Sequence, residues 1–216
     1  MNTHHHKLGP RLGRSVAIGF TLVLAGASST IALQSSAIAG TTIVPPGCGS
    51  LSGKPLPAGW TLNDHSADTT ALGTATTPYQ VPATANMLTI GTSFTDHVDG
   101  NDVTETFCGR EGNDVFNGFG GDDVIHGDDG RDILSGSFGS DTLFGGGGKD
   151  TLYGDDATNS SGNLDFNDYL HGGQNADTLD GGNDGDDIFG DKGKKDIWTV
   201  DTTDTCVNVE LPSGTC

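Results

Sequence analysis

Apolar residues fall nine apart along the middle of the chain. Phe116, Ile125, Leu134, Leu143 and Leu152 stand at this spacing, and Leu170, Leu179, Ile188 and Ile197 keep the same phase. Between them lie runs of Gly, Asp and Asn. Side chains alternate along a strand, so one inward residue between two outward neighbours makes a strand of three residues. The remaining six residues of each period have turn composition. The pattern predicts an all-β fold of many very short, evenly spaced strands.

The period holds for other residue classes too. With Gly109–Asn117 as positions one to nine, position one reads Gly109, Gly118, Gly127, Gly136, Gly145 and Gly154, then Asn163, Gly172, Gly181 and Gly190. Position six reads Asp114, Asp123, Asp132, Asp141, Asp150, Asn159, Asp168, Asp177, Asp186 and Lys195. Two earlier blocks are filled by Gly100, Glu105 and Phe107 and by Gly91, Asp96 and Val98. The register runs over residues 91–199 as twelve blocks without insertion or deletion; block 154–162 has Ser161 in the apolar place but keeps its length. Glycines at positions one and four permit positive φ and a tight turn. A single inward side chain per block gives a thin core, which forms only if successive blocks coil and stack.

The turns also carry chemistry. Each offers backbone carbonyls and one carboxylate, an oxygen-only set suited to a hard cation. Ca²⁺ accepts six to eight such oxygens in irregular geometry, whereas Mg²⁺ demands an octahedron. Soft metals would want Cys or His at repeating positions, and neither repeats here.

These blocks resemble the GGxGxDxUx nonapeptides of RTX proteins, the haemolysin-type calcium-binding repeats. Gly145-Gly146-Gly147-Gly148-Lys149-Asp150-Thr151-Leu152-Tyr153 is the closest match, and Gly172–Asp180 departs from it only slightly, with Asn175 at the second conserved glycine. The resemblance implies a parallel β-roll of about twelve half-coils, eighteen residues to a full coil, with calcium bound in the turns. It implies ligands from the position-six side chains Asp96, Asp114, Asp132, Asp150, Asp168 and Asp186 in one row of turns, and Asp123, Asp141 and Asp177 in the other. Turn residues at position four, Gly112, Gly121, Gly130, Gly139 and Gly148, belong to the same sites. Glu105, Asn159 and Lys195 depart from the pattern in the second row. The same phase puts Val98, Phe116, Leu134, Leu152, Leu170 and Ile188 in one inward ladder. Phe107, Ile125, Leu143, Leu179 and Ile197 form the facing one, interrupted at Ser161.

Charge agrees with a cation partner. The chain has 29 acidic residues against 10 Lys and Arg, and only 33% of its residues are hydrophobic. A polyanionic surface excludes nucleic acid, and the low apolar content argues against a deep-cored enzyme domain. The ends read differently. Lys7, Arg11 and Arg14, an apolar run from Val16 to Ala27 and Ala37-Ile38-Ala39 make a signal peptide over residues 1–39. The expected mature chain is secreted, spans no membrane, and has 7 basic and 29 acidic residues, a formal charge of −22.

Residues 40–90, rich in Thr, Ala and Pro, read as an irregular N-terminal cap or a linker, with short strands near Tyr79–Val81 and Met87–Ile90. Residues 200–216 read as a C-terminal cap, with a closing strand in the alternating run Cys206-Val207-Asn208-Val209-Glu210-Leu211. Four cysteines in an exported chain suggest two disulfides, in one of three connectivities; Cys48–Cys108 and Cys206–Cys216 are the favoured pairs. No catalytic motif is present, so no enzymatic activity is expected. Val115, Ile133, Thr151 and Tyr169 fall on one outward face one coil apart, with Tyr153 and Phe189 nearby. That stripe is either covered by the chain's own ends or faces a partner. The expected function is a secreted calcium-binding module that folds on binding the ion and serves as an extracellular structural, adhesion or interaction element. A calcium-dependent carbohydrate-binding module is the alternative, and a glycan or protein the corresponding partner.

Overall fold

The computed structural model describes Cys48 and residues 53–155, 167–183, 185–191, 196–199 and 204–207. The signal segment, Asn159, Ser161, Lys195 and Cys216 lie outside these residues, and with Cys216 the expected Cys206–Cys216 pair.

The short strands foreseen from the period are present and form two sheets. The first holds β1 (Thr61–Asp64), β3 (Met87–Ile90), β5 (Glu105–Cys108), β8 (Val124–Gly130), β10 (Thr142–Gly147), β12 (Tyr169–Gln174), β14 (Asp187–Asp191) and β16 (Thr205–Val207), in that order, with β6 (Glu111–Gly112) beside β8. The second holds β2 (Tyr79–Gln80), β4 (His97–Asn101), β7 (Val115–Phe119), β9 (Ile133–Ser135), β11 (Thr151–Tyr153), β13 (Thr178–Asp180) and β15 (Ile197–Thr199). All pairings between these strands are parallel. Through the repeats, nine residues carry the chain across to the other sheet and nine more bring it back. This is a parallel β-roll of about six turns.

From Val98 to Ile188, position eight of every described block points between the sheets. Phe107, Ile125, Leu143, Leu170 and Ile188 are at most 1% exposed and stack on the first sheet; Val98, Phe116, Leu134, Leu152 and Leu179 face them from the second. The Phe107 and Phe116 rings stack across the gap with centroids 4.6 Å apart. Each buried aliphatic side chain contributes roughly 1.5–3 kcal/mol, so the core is a sum of small equal increments along the stack.

The unbroken register expected over twelve blocks does not hold. Up to β10 and β11 the coils step by 18 residues, as in Phe116↔Leu134 and Ile125↔Leu143. The next step pairs Leu143 with Leu170 and Leu152 with Leu179, 27 residues on. Block 154–162 has Ser161 where the core needs an apolar side chain, so the stack skips one nonapeptide length and closes on the next block that has one. A shift of nine residues exchanges the sheets. Leu170 and Ile188 therefore belong to the ladder of Phe107, and Leu179 to the ladder of Val98, opposite to the expectation.

A second slip follows. Leu179 pairs in register with Trp198, 19 residues on, and Ile197 is 55% exposed rather than inward. After it the roll gains a further strand: Cys206 of β16 pairs with Ile188 and packs against the core. The closing strand expected from Cys206 onward is present at Cys206 and Val207 and begins one residue earlier, at Thr205; residues 208–211 lie outside the described residues.

The N-terminal strands expected near residues 79–81 and 87–90 are β2 and β3, and both extend the sheets. Tyr79 pairs with Val98, and Met87–Ile90 with Glu105–Cys108. That register places Thr89 opposite Phe107, and turns Leu88 and Ile90 outward. They are buried there by a second cluster with Cys48 and Cys108, against which Leu56, Trp60 and Leu62 pack. The Cys48–Cys108 disulfide is present and closes a loop across 60 residues of separation.

The outward stripe also divides. Val115, Ile133 and Thr151 pair in line with Thr178 and Ile197 on the second sheet. Tyr169 lies on the first sheet, because the skipped nonapeptide carries it across. Its ring is tilted against Phe189, 4.8 Å between centroids, on a face that also holds His126, Phe144 and His171. Tyr153 stays on the second sheet, in register with Ser135. No helix among the described residues is long and apolar enough to cross a membrane.

Candidate metal centre

Each position-six carboxylate follows a turn and precedes a strand, where the turn's geometry buries it. Asp114, Asp123, Asp132, Asp141, Asp150, Asp168 and Asp177 are at most 2% exposed. Their two oxygens have different surroundings.

One oxygen does structural work. The Asp114 N–H donates to Asp132 Oδ1 at 2.8 Å, and the Asp132 N–H to Asp150 Oδ1 at 2.9 Å. The same bond runs from Asp123 to Asp141 and from Asp141 to Asp168, each 2.8 Å. These rungs form two rows along the stack. The first passes through Asp96, Asp114, Asp132, Asp150, Asp177 and Asp196. The second passes through Glu105, Asp123, Asp141, Asp168, Asp186 and Asp204. The expected rows are corrected accordingly: Asp168 and Asp186 change places with Asp177, for the same reason that the core ladders do.

The other oxygen is different. In Asp114, Asp123, Asp132, Asp141, Asp150, Asp168 and Asp177, Oδ2 is buried and accepts no hydrogen bond. A buried, unsatisfied carboxylate oxygen is costly unless a positive charge meets it. The oxygens of the next coil converge on the same place. A Cβ on Gly145 would stand 2.6 Å from both Asp150 Oδ2 and the Gly172 carbonyl oxygen. On Gly109 it would meet Asp114 Oδ2 and lie 2.6 Å from the Gly127 oxygen; on Gly118, Asp123 Oδ2 and the Gly136 oxygen at 2.7 Å. Carboxylate and carbonyl oxygens thus face one another across a glycine with no donor between them.

This corrects the reading of position one. Its glycines do not have positive φ; they are needed because the next coil's oxygens come so close. Position four does have positive φ, at Gly112, Gly121, Gly130, Gly139 and Gly148. Their carbonyls point along the stack: a side chain on Gly130 would overlap the Gly112 oxygen, and one on Gly148 the Gly130 oxygen.

Burial raises the carboxylate pKa values. Asp114 and Asp123 are pushed up to about 8 by desolvation, partly offset by the N–H each accepts and reinforced by neighbouring carboxylates. Asp168 reaches about 9, and Asp141 and Asp177 about 7, with the same leading cause. Asp132 and Asp150 rise to about 6. The buried oxygens therefore hold a proton or a cation more readily than they hold bare charge.

The donor set fits calcium. It is all oxygen, and among the described residues no three His, Cys, Asp or Glu side chains converge on one point. Carbonyls must then supply most of any coordination shell, which suits a large, geometrically tolerant ion better than Mg²⁺ or a soft metal. Asp114, Asp123, Asp132, Asp141, Asp150, Asp168 and Asp177 would provide the carboxylate oxygens. Asp96 is set differently: both its oxygens accept protein N–H or O–H groups.

The twelve blocks counted by nine over residues 91–199 do not place Asp196 or Asp204 in the rows. Asp196 sits one residue past the expected Lys195, and Asp204 beyond the last block. A sequence signal marks them: in Asp196-Ile197-Trp198 and Asp204-Thr205-Cys206 an Asp precedes the strand's core-register residue by two, as in Asp114-Val115-Phe116 and Asp186-Asp187-Ile188.

A family model for the RTX calcium-binding nonapeptide repeat (four copies) matches residues 99–134, 126–160 and 164–194. The gap between the last two stretches falls at the skipped nonapeptide. No curated protein and no solved structure matches the chain.

Proposed function

Since the chain carries RTX calcium-binding nonapeptide repeats, we propose that it is a secreted module whose roll is completed by calcium and which then serves outside the cell as a structural or adhesive element without catalysis of its own. The observation that carries this reading is the row of buried Oδ2 atoms without hydrogen-bond partners. Bound calcium supplies the positive charge those oxygens lack. The chain's own part is to hold them: Oδ1 is fixed by the N–H of the preceding coil, and the position-one glycine lets the next carbonyl approach. Ion binding and stacking are then one process, so binding free energy becomes folding free energy. Extracellular calcium sites typically bind at about 10⁻⁴ to 10⁻³ M, which suits a chain that folds after export. Calcium titration followed by far-UV circular dichroism tests the proposal. A cooperative gain of β signal at millimolar calcium, reversed by chelator, is expected; an unchanged β spectrum in chelator would refute it.

One observation favours a carbohydrate-binding role as a second reading. Phe144, Tyr169 and Phe189, with His126 and His171, line one outer face of the first sheet. Aromatic faces with polar edges suit sugar rings as well as proteins. Glycan-array binding in calcium, compared between the parent and Tyr169→Ala, separates the two roles.

A further inference from the structure

The first coil is built differently from those after it. Asp96 Oδ1 accepts the Leu72 N–H at 2.6 Å and the Thr92 hydroxyl at 2.8 Å, and Oδ2 accepts the Thr92 N–H at 2.7 Å. Glu105, first in the other row, accepts the Asn101 N–H at 3.2 Å and the Asn101 side-chain amide on its other oxygen. Both rows therefore begin on a carboxylate satisfied by protein donors, where the next seven leave an oxygen open.

The segment around this coil has its own means of staying folded. Leu88, Ile90, Cys48 and Cys108 are fully buried against Leu56, Trp60 and Leu62, on the outside of the roll. The Cys48–Cys108 disulfide holds this cluster. A closed polar network adds to it: Asn63 Nδ2 donates to the Tyr79 hydroxyl at 2.9 Å, and His65 bridges Asn63 Oδ1 (3.1 Å) and Asp68 Oδ2 (2.9 Å). Arg110 ties the segment to the repeats through the Ser66 carbonyl, 3.1 Å away. None of these contacts calls for an ion.

We propose that residues 53–108 form a calcium-independent template on which the ion-dependent coils assemble. The template ends in β4 and β5, whose free edges wait for β7 and β8. The Asp96 and Glu105 N–H groups there donate to Asp114 Oδ1 and Asp123 Oδ1, both at 2.8 Å, and so set the first rungs of both rows. In a stacked solenoid the first unit bears the ordering entropy with no neighbour to offset it. A preformed end removes that step. Asp96 and Glu105 then belong to the template, and the calcium rows start at Asp114 and Asp123. This inference rests on the calcium reading above, but the two fail differently.

Hydrogen exchange on the oxidised full chain, in EDTA and then in calcium, tests it. Protection of residues 87–90, 97–101 and 105–108 in EDTA, with 142–147 and 169–174 protected only in calcium, is the expected result. Exchange of all five segments in EDTA overturns the template and leaves calcium-coupled folding intact. Protection of all five in EDTA overturns both. Calcium stoichiometry provides a second reading. Asp96→Asn should bind as many ions as the parent and Asp132→Asn fewer; a loss of bound calcium in Asp96→Asn would overturn the assignment.

Discussion

The Asp141 N–H donates to the Asp168 carboxylate 27 residues on, at 2.8 Å, where the preceding rung from Asp123 to Asp141 spans 18. The two residues are consecutive in one row although a whole nonapeptide separates them beyond the normal step. Deleting residues 156–164 and replacing Phe166 with Gly restores a six-residue turn, Gly154 to Asp168, in the family pattern. The shortened chain should retain the parent's calcium stoichiometry and melt in calcium within a few degrees of it. Double-mutant cycles give a separate check. Asp141→Asn and Asp168→Asn should be non-additive in calcium-dependent stability, whereas Asp114→Asn and Asp168→Asn, in different rows, should add.

Glycine substitutions separate close approach from backbone conformation. In Gly118→Ala the new methyl would meet Asp123 Oδ2 and lie 2.7 Å from the Gly136 carbonyl. Two residues on, Gly120 has no positive φ and nothing nearer than 3.7 Å. Gly118→Ala should destabilise the calcium-bound roll by about 1–3 kcal/mol and weaken calcium binding. Gly120→Ala should stay within about 0.5 kcal/mol of the parent in denaturant unfolding.

The register slip at the C-terminal end makes a packing prediction. Leu152 is fully buried, and Ile197, in the same sequence phase, is 55% exposed. Leu152→Ala should cost about 2–5 kcal/mol and Ile197→Ala less than about 0.5 kcal/mol, measured by urea melts in calcium.

Acidity should partly replace the ion. In the folded roll Asp114, Asp123, Asp141, Asp168 and Asp177 have pKa values raised to between about 7 and 9, above the 3.8 of a free Asp. A raised folded pKa means that the folded state binds the proton more tightly. The stabilisation is therefore full below about pH 4 and is lost as pH rises through 7 to 9. The calcium-free chain should show more β structure at pH 4.5 than at pH 8.5. Calcium affinity should rise with pH, with proton release detectable by calorimetry in buffers of different ionisation heat.

The repeats were legible because three residue classes share one period, and each class has a separate physical cause: a core place, a carboxylate, and a close-approach glycine. What the period hides is where the chain leaves it. Ser161 signalled that block 154–162 lacked a core residue, but a count of nine does not say whether the stack tolerates that gap or skips it. Asp196 fell outside the rows because a one-residue slip is invisible when positions are counted by nine. The double use of each Asp could not be read from sequence, since Oδ1 meets an N–H eighteen or more residues away. The N-terminal segment was least legible: Thr89 takes an inward place while Leu88 and Ile90 face out, because a second apolar layer covers the sheet's outer side there.

Reducing the Cys48–Cys108 bond should mainly affect that layer. Closing a loop of 60 residues is worth about 4 kcal/mol of unfolded-state entropy. A Cys48→Ser/Cys108→Ser variant should need more calcium to reach half-folding by circular dichroism, while binding the same number of ions at saturation.

The central claim is that the open Oδ2 atoms and the facing carbonyls are the calcium site. Anomalous diffraction from crystals grown in calcium tests it most directly. The account predicts anomalous peaks along both turn rows, each about 2.3–2.6 Å from an Oδ2 of Asp114, Asp123, Asp132, Asp141, Asp150, Asp168 or Asp177 and from turn carbonyls of the adjoining coil. A coiled stack with no peaks at those oxygens, or with calcium bound only elsewhere, would contradict it.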